Sequence, residues 1–360
     1  MRSKGLFLKN LALALVFVLL CFSQSPAAQI FEGPDGQIYI GDYLPRALAE
    51  KGYEPRRSLG EAGSFYPRNP DHKDFLWKVT SKTDTVYVLG SVHVGERGLY
   101  PLSKTIEDAF SGSGELAVEA NIDSGNLLRN SSQIKKALLE SALYPAGDSL
   151  KKHISSRTYA LVGNRVDELG WNMAAADRCR PWFLDELIEM SDVGDRGFSG
   201  DYGIDKHFLI KAESAGKKIL ELEGLDYQIR MFRNYSDRQQ EDFLLFSIKG
   251  PGAGEAGNGE DGLKAVLTIW ASGDARKLAR MIDGDIRQHP DLRPVFEKFL
   301  FERNRNMAAK IEKYLEANER VFVVVGAAHV VGERGIISLL EKKGYKARQM
   351  EFQPPAPVSD

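Results

Sequence analysis

Two stretches of the sequence place a histidine three residues after a glycine and then continue with Gly-Glu-Arg-Gly. The first reads GSVHVGERG at 90–98, and the second reads GAAHVVGERG at 326–335. His93 follows the strand-like segment TVYVLG and His329 follows VFVVVG, so each imidazole is expected just beyond a predicted strand. Imidazole is a general acid or base near neutral pH and a common metal ligand. Chance, an old duplication and two halves of one active site would each explain the repeat; we interpret the two stretches as two walls of one site.

Two carboxylates are expected at the same edge of the predicted sheet. Glu119 lies at the end of the strand-like segment ELAVEA, and Glu223 lies at the end of KKILELEG. Ligands bind beyond the carboxyl ends of the strands in open α/β sheets. Neighbouring strands are about 4.8 Å apart, so side chains from adjacent strand ends can converge on one ion. Imidazole and carboxylate together suit a divalent transition metal such as Zn, Mn or Co, with an open position for water.

The remaining residues of the two motifs are expected to shape the backbone. Gly90 and Gly326 are predicted to turn the chain sharply out of each strand, because glycine has no Cβ. Both motifs are predicted to lie in the same strand–turn–helix context. The glutamate of each Gly-Glu-Arg-Gly segment then falls in the first turn of a helix, where it favours the exposed amides. Arg97 and Arg334 are expected on solvated faces, although either could bind an anionic group.

The elements that must position these residues alternate between short apolar strands and helices from Phe75 onward. This alternation predicts an α/β fold with a central, mainly parallel sheet and helices on both faces. A largely helical insertion is predicted at 124–200, and the glycine-rich segment 251–262 is predicted as a surface loop. The main domain is expected to span 74–353, followed by a short tail at 354–360.

The first residues have the layout of a secretory signal peptide. A basic start, the apolar run LALALVFVLLCF and the small residues SQSPAA predict a signal at 1–28. The apolar run is shorter than the roughly 20 residues of a membrane-spanning helix, and Leu20 is too bulky to precede a lipidated Cys21. We therefore expect export to the periplasm or the medium without a stable membrane span after cleavage; a retained anchor or a lipoprotein is less favoured. Residues 29–73 are predicted to form an N-terminal appendage and linker.

Composition narrows the function classes. The chain has 48 basic and 50 acidic residues, so it carries no large field of one sign, which argues against a nucleic-acid-binding protein. Removal of the signal would leave Cys179 without a partner for an internal disulfide. Cys179 is expected to be a small apolar core residue rather than a nucleophile.

Taken in order, these segments resemble the TraB/GumN family. The resemblance runs from Leu76 to Glu351, and it rests on LWKV, VYVLGSVHVG, LAVEA, RPW, GID, KKILELEGLDYQ, ERNRNMAAKI and VFVVVGAAHVVGERGIISLLEKKGY. This family is related to animal membrane metalloproteases that inactivate Wnt ligands. The resemblance implies a fold like that of erythromycin esterases and haem-binding ChaN lipoproteins.

The resemblance also implies an active site made from the two GxxH motifs and a glutamate, which are here His93, His329 and Glu119. We predict these three residues as metal ligands, with Glu119 as a ligand or as the general base. Glu223 is predicted to complete the catalytic site or to accept the second ring proton of a ligand histidine. The residues that match further family motifs, and that we predict to bind substrate, are Asp205, Arg303 and Asn304.

The function expected from these residues is that of an exported, metal-dependent hydrolase acting on peptide bonds. One alternative is a non-catalytic protein of the same fold that binds haem, a metal or a peptide. A second alternative is a metal-free, esterase-like hydrolase that uses the two histidines as acid and base. A third is a scaffold in which the GxxH motifs only shape the sheet edge.

Overall fold

The computed structural model describes most of the chain from His72 onward, together with three short N-terminal strands. The described residues are 29–32, 38–41, 54–55, 72–121, 131–194, 198–249, 260–317 and 319–355. The predicted signal peptide lies outside them, as do most of the appendage at 29–73 and residues 251–259 of the glycine-rich loop.

The strands are β1 Gln29–Glu32, β2 Ile38–Gly41, β3 Glu54–Pro55, β4 Lys73–Thr80, β5 Thr85–Ser91, β6 Glu115–Val118, β7 Lys218–Glu221, β8 Val321–Gly326 and β9 Lys346–Glu351. The α-helices are α1 Lys104–Ser111, α2 Ser131–Ala142, α3 Ser156–Glu168, α4 Met173–Ala176, α5 Pro181–Gly194, α6 Ile204–Ser214, α7 Leu225–Arg233, α8 Asp237–Lys249, α9 Glu260–Ala271, α10 Ala275–Gln288, α11 Arg293–Phe296, α12 Arg303–Ala317, α13 Ala327–Val330 and α14 Ile336–Lys342. A π-helical segment, Glu297–Glu302, joins α11 to α12.

The main sheet has six strands in the order β7-β6-β8-β5-β4-β9. The four strands β7, β6, β8 and β5 run parallel to one another, whereas β4 pairs antiparallel with both β5 and β9. The α/β prediction is therefore confirmed, and the sheet is mixed. The short turn after Thr80 explains the antiparallel pair, because a parallel crossover needs about a dozen residues or more.

The core lies on both faces of the parallel strands. All six residues of β8, VFVVVG, are buried. Successive side chains of a strand point to opposite faces, so helices must cover both sides of β8. A continuous apolar run of this kind is typical of a central parallel strand. The carboxyl ends of β5, β6 and β8 consequently meet at one edge of a rigid platform.

The helical insertion has a small core of its own. The helices α3–α5 and the segments around them, together with Leu244 of α8, bury a cluster that is separate from the sheet core. Cys179 belongs to this cluster and is 6% exposed. Burial raises the pKa of the Cys179 thiol to about 11, which keeps the sulfur protonated and unreactive at neutral pH. Its placement agrees with the predicted packing role.

Three details refine the predicted boundaries. The segment IYIG in β2 pairs with β1, and β3 completes a small antiparallel sheet. The predicted linker ends before Lys73, since Lys73 and Asp74 already belong to β4. Residues 260–262, predicted as part of the glycine-rich loop, begin α9. Of the helices in the described segments, none has both the length and the hydrophobicity to cross a membrane.

Candidate active site

The first GxxH motif places His93 beside a buried carboxylate. The motif begins inside β5, and His93 lies two residues after the strand ends at Ser91. His93 Nδ1 is 2.9 Å from Asp205 Oδ2. The Ser91 hydroxyl donates to the other oxygen of Asp205 at 2.8 Å. Asp205 thus lies against Nδ1 of His93, and Nε2 is on the side of the ring away from this carboxylate.

A backbone junction brings Asp205 to His93. Gly95 and Ser199 exchange two hydrogen bonds, of 3.0 and 2.9 Å, and the Ile204 amide donates to the Val92 carbonyl at 2.9 Å. The two segments approach so closely that a Cβ on Gly203 would lie 2.4 Å from the His93 carbonyl oxygen. Glycine at this position is therefore a requirement of the site, because α6 and its Asp205 could not otherwise dock against the first motif.

The second motif places His329 beside a buried amide. Gly326 ends β8, and the chain turns directly into α13, which carries His329. His329 is 2% exposed, and its Nδ1 lies 2.6 Å from Asn304 Oδ1. The Asn304 amide nitrogen donates to the Arg334 carbonyl at 2.9 Å. His329 thus receives a neutral partner where His93 has a charged one.

Glu119 lies between the two histidines. Its Oε1 accepts a hydrogen bond from the Gly326 amide at 2.7 Å and lies 3.7 Å from His329 Nε2. A Cβ on Gly326 would be 3.1 Å from His93 Nε2, 3.4 Å from Glu119 Oε1 and 3.5 Å from His329 Cδ2. Three side chains from three strand ends therefore converge on the space that the missing side chain of Gly326 leaves open.

Arg303 holds the carboxylates behind this space. The residue is 1% exposed, and its guanidinium forms ion pairs with Glu119 and, at 2.7 Å, with Glu223. Its Nε also donates to both oxygens of Glu223, at 2.9 and 3.0 Å. Gln228 donates to Glu223 at 3.2 Å. Each buried charge in this group has a partner, which buried ions require.

The π-helical segment immediately precedes Arg303 and Asn304. Arg303 reaches the two glutamates, while its neighbour Asn304 reaches His329. Such segments widen the helix by one residue per turn and are frequent at functional sites. Here the widened turn lies directly before the two adjacent residues that serve different parts of the site.

Electrostatics distinguish the two histidines. Burial by itself would lower the pKa of His93, but the charge and hydrogen bond of Asp205, with the charge of Glu119, raise it to about 9. Burial lowers the pKa of His329 to about 3. The negative charge of Glu119 opposes this shift, and the positive charge of Arg303 reinforces it. Burial would raise the pKa of Glu119, yet Arg303 and the two histidines bring it down to about 2.

All the side chains predicted for the site occur within this one cluster, although their predicted roles stay predictions. Asp205 and Asn304 contact the histidines, and Arg303 contacts the two glutamates. The Nδ1 atoms of the two histidines lie beside Asp205 and Asn304, rather than beside Glu223 as we considered. His207 is separate from the site, since its Nε2 is 3.3 Å from Glu107 Oε1.

The predicted turn at Gly90 requires correction. Gly90 lies inside β5, and its φ is not in the left-handed region. A Cβ there would be 2.8 Å from Val330 Cγ2 and 2.9 Å from Phe75 Cδ1, so the glycine is required for close packing. Gly326 does end its strand, with φ −51° and ψ 139°, values open to other residues. The strand–turn–helix context therefore holds for the second motif alone.

Two residues of the site were not predicted from the sequence. Ser91 orients Asp205, and Gln228 contacts Glu119 and Glu223. Ser91 lies inside the first motif, so its position next to the glycine was the available signal. Gln228 ends the segment KKILELEGLDYQ, which carries part of the family resemblance, and that was the available signal; its contact with the glutamates depends on the packing of α7 against the sheet edge.

The donor set fits a divalent cation, although the side chains do not enclose one as they stand. Within the described residues, no group of three His, Cys, Asp or Glu side chains is arranged to hold a metal ion. Both histidines nevertheless have Nδ1 occupied by a partner, which is how ligand histidines are oriented. His329 Nε2 and Glu119 Oε1 are acceptors only 3.7 Å apart. If both imidazoles are neutral, the carboxylates of Glu119, Asp205 and Glu223 and the guanidinium of Arg303 give the cluster a net charge of −2, which favours a cation.

Comparison with known proteins gives a family match and several distant relatives. The model of the TraB/PrgY/gumN family matches residues 75–349. The uncharacterized Escherichia coli protein YbaP is 23% identical over 262 residues, which cover 71% of this chain and 87% of YbaP. A metalloprotease TIKI homolog from Amphimedon queenslandica is 24% identical over 351 residues, covering 82% of this chain and 65% of that protein. No solved structure matches the chain significantly.

Proposed function

This chain belongs to the TraB/PrgY/gumN family, and from that premise we propose that it is a hydrolase whose active site contains His93, Glu119 and His329. The observation that carries the proposal is the convergence of these three side chains around Gly326. They come from the ends of three adjacent strands, where α/β folds build their ligand sites. The similarity to a metalloprotease TIKI homolog supports peptide bonds as the substrate class.

We propose that the site works with a divalent transition metal. His93 Nε2, His329 Nε2 and Glu119 Oε1 would hold the ion, because these atoms face the common space. Once bound, such an ion lowers the pKa of a coordinated water toward about 7 and polarises a substrate carbonyl. Asp205 and Asn304 would keep the two rings oriented, and loss of such partners typically weakens metal binding by about 10- to 100-fold.

The chain's own residues divide the remaining tasks. Arg303 keeps Glu119 ionised and turns its Oε2 away, so that Oε1 faces the two histidines. Glu223 balances the charge of Arg303, since three of its contacts go to that guanidinium. We therefore propose that Glu223 acts by holding Arg303, and that Glu119 is the carboxylate that meets metal and substrate.

The second candidate is a metal-free hydrolase, and it is favoured by the unequal partners of the two histidines. His93 faces a carboxylate, which supports the imidazolium form, while His329 faces an amide, which supports the neutral form. His329 Nε2 would take a proton from water as the water oxygen attacks the substrate carbonyl carbon. His93 would give its Nε2 proton to the leaving amine or alkoxide, completing hydrolysis to the acid and the protonated leaving group.

The secretory layout of the first residues supports export, so we propose a periplasmic or secreted hydrolase. The test is elemental analysis of residues 29–360, purified without chelators or a His-tag, beside a His93→Ala/His329→Ala variant. About one equivalent of a transition metal is expected in the first protein and none in the second. A peptide library would then be screened with that ion and again after chelation.

The outcomes separate the candidates. Hydrolysis that disappears on chelation and returns with the ion supports the metal-dependent enzyme. Hydrolysis that survives exhaustive chelation but is lost in the double variant supports acid–base catalysis by the histidines. A folded protein that takes up metal or haem without hydrolysing any peptide or ester would identify a binding protein and contradict both catalytic proposals.

A further inference from the structure

The arginine of the second Gly-Glu-Arg-Gly segment is anchored on the π-helical segment that precedes Asn304. The Arg334 guanidinium lies 2.7 and 2.5 Å from the two oxygens of Glu297. It also stacks over the Phe301 ring, 3.7 Å from its centroid. Arg334 is therefore held on this surface by an ion pair, in which one guanidinium nitrogen contacts both oxygens of Glu297, and by the contact with the Phe301 ring.

The backbone carbonyl of Arg334 determines how Asn304 faces His329. The carbonyl can only accept, so the Asn304 group at 2.9 Å must be the NH₂. The Asn304 oxygen then faces His329 Nδ1 at 2.6 Å, and that nitrogen must carry the proton. In neutral His329 the lone pair consequently lies on Nε2, directed toward Glu119.

The glycines of this segment hold the carbonyl in place. Gly332 has a φ of +81°, which disfavours other residues. A Cβ on Gly335 would lie 2.3 Å from the Val331 carbonyl oxygen. The amide of Gly335 closes the turn on the Gly332 carbonyl at 3.1 Å. Glycine is thus needed at both ends of the turn, and the arginine between them fastens the turn to the π-helical segment that leads into α12 and Asn304.

We infer that Arg334 is a positioning residue for His329, acting through its carbonyl and Asn304 to fix the tautomer of the ring. This inference rests on the proposed function for its importance, since the Nε2 lone pair is what a metal or a water proton would meet. Arg334 itself touches neither the predicted ligands nor the space around Gly326.

Arg97, the matching residue of the first segment, provides the control. Its carbonyl accepts from the Tyr100 amide at 3.1 Å, a local contact within its own turn. Among the described residues its Nε has no hydrogen-bond partner. Arg97 therefore has no connection of this kind to the ring nitrogen of His93, which is set by Asp205 instead.

The test is the tautomer of His329 in the metal-free protein, read from long-range ¹H–¹⁵N couplings in ¹⁵N-histidine-labelled samples. Wild type is expected to show only the Nδ1–H form. Arg334→Ala and Glu297→Ala each remove one partner of the same ion pair, and both side chains are about half exposed. Each variant should therefore add a population of the Nε2–H tautomer. Their combination should do no more than either alone, and Arg97→Ala should leave the His329 signals unchanged.

Zinc affinity supplies a second readout. Asn304→Ala is expected to weaken Zn²⁺ binding by about 10- to 100-fold, and Arg334→Ala by about the lower end of that range. A pure Nδ1–H tautomer in folded Arg334→Ala would overturn the inference, whatever the zinc result. Failure of wild type to bind Zn²⁺ or any other transition metal would instead count against the metal-dependent function, and the tautomer result would stand by itself.

Discussion

The two GxxH motifs have the same spacing, but they differ in backbone and in environment. Gly90 pairs in register with Val325, and Ser91 pairs with Gly326, so the motifs are offset by one residue across the parallel strands. The first continues as strand through Ser91, whereas the second enters a helical turn at Ala327. The resemblance between the motifs therefore does not correspond to equal positions in the sheet.

The partners of the histidines differ as well. Asp205, from α6, gives His93 a carboxylate, and Asn304, from α12, gives His329 an amide. The pKa of His93 is raised to about 9, and that of His329 is lowered to about 3. The spacing of a motif places a side chain at the sheet edge, but residues from distant helices determine its charge.

Removal of what the two motifs share should give the largest effect. Arg303→Met leaves Glu119 and Glu223 buried without their cation, so we expect the free energy of unfolding to fall by about 3–5 kcal/mol. Denaturant unfolding at pH 7 measures this. Arg305→Met, two residues along the same helix and half exposed, is the control and should cost less than about 1 kcal/mol. Equal losses in the two variants would show that the buried pairing contributes nothing special.

The sequence was sufficient for the sheet and for most of the site. The apolar runs TVYVLG, ELAVEA and VFVVVG are visible as strands, and in an α/β fold their ends must meet. The sequence was insufficient to predict which side chains contact the two histidines, because Asp205 and Asn304 reach them only after α6 and α12 have packed. The offset of the motifs was also hidden, since register depends on the packing of whole strands and not on the glycines.

The first motif should lose stability at high pH. The folded pKa of His93, about 9, exceeds its ordinary value of 6.5. The resulting stabilisation is therefore complete below about pH 6.5 and is lost as the pH rises to about 9. In metal-free protein we expect wild type to lose about 3 kcal/mol more than His93→Gln over this window. Asp205→Asn should reduce the loss similarly, and identical profiles for wild type and His93→Gln would contradict the assigned environment.

The second motif should lose stability at low pH. The folded pKa of His329, about 3, lies below 6.5, so the unfolded chain binds a proton that the folded protein excludes. Stability is therefore lost as the pH falls below about 6.5. Between pH 6.5 and 4.5 we expect wild type to lose about 2–3 kcal/mol more than His329→Gln. Confining the measurement to this window limits the contribution of Glu119, which is lost below its ordinary pKa of 4.5. If the stability contributions of His93 and His329 were both lost on raising the pH, or both on lowering it, the proposed difference between the two environments would be wrong.

The two motif glycines should separate packing from ligand binding. Gly90→Ala brings a Cβ within 3 Å of Val330 and Phe75 in the core, so we expect a loss of about 1–3 kcal/mol in the free energy of unfolding. Gly326→Ala meets no atom closer than 3.1 Å, and its φ of −51° suits alanine. We expect its stability to change by less than about 1 kcal/mol, because lower entropy of the unfolded chain offsets the tighter contacts.

For metal affinity we expect the opposite order, with the larger loss in Gly326→Ala and the smaller in Gly90→Ala. The Cβ of Gly326→Ala would enter the space where His93 Nε2, at 3.1 Å, and Glu119 Oε1, at 3.4 Å, converge. We therefore expect Zn²⁺ affinity to fall by about tenfold or more, the effect of disturbing ligand orientation, while folded Gly90→Ala keeps wild-type affinity. Unfolding curves and Zn²⁺ titrations on the same preparations measure both quantities. A Gly326→Ala protein that binds Zn²⁺ as wild type does would place the ion elsewhere, because the space beside Gly326 would then be dispensable.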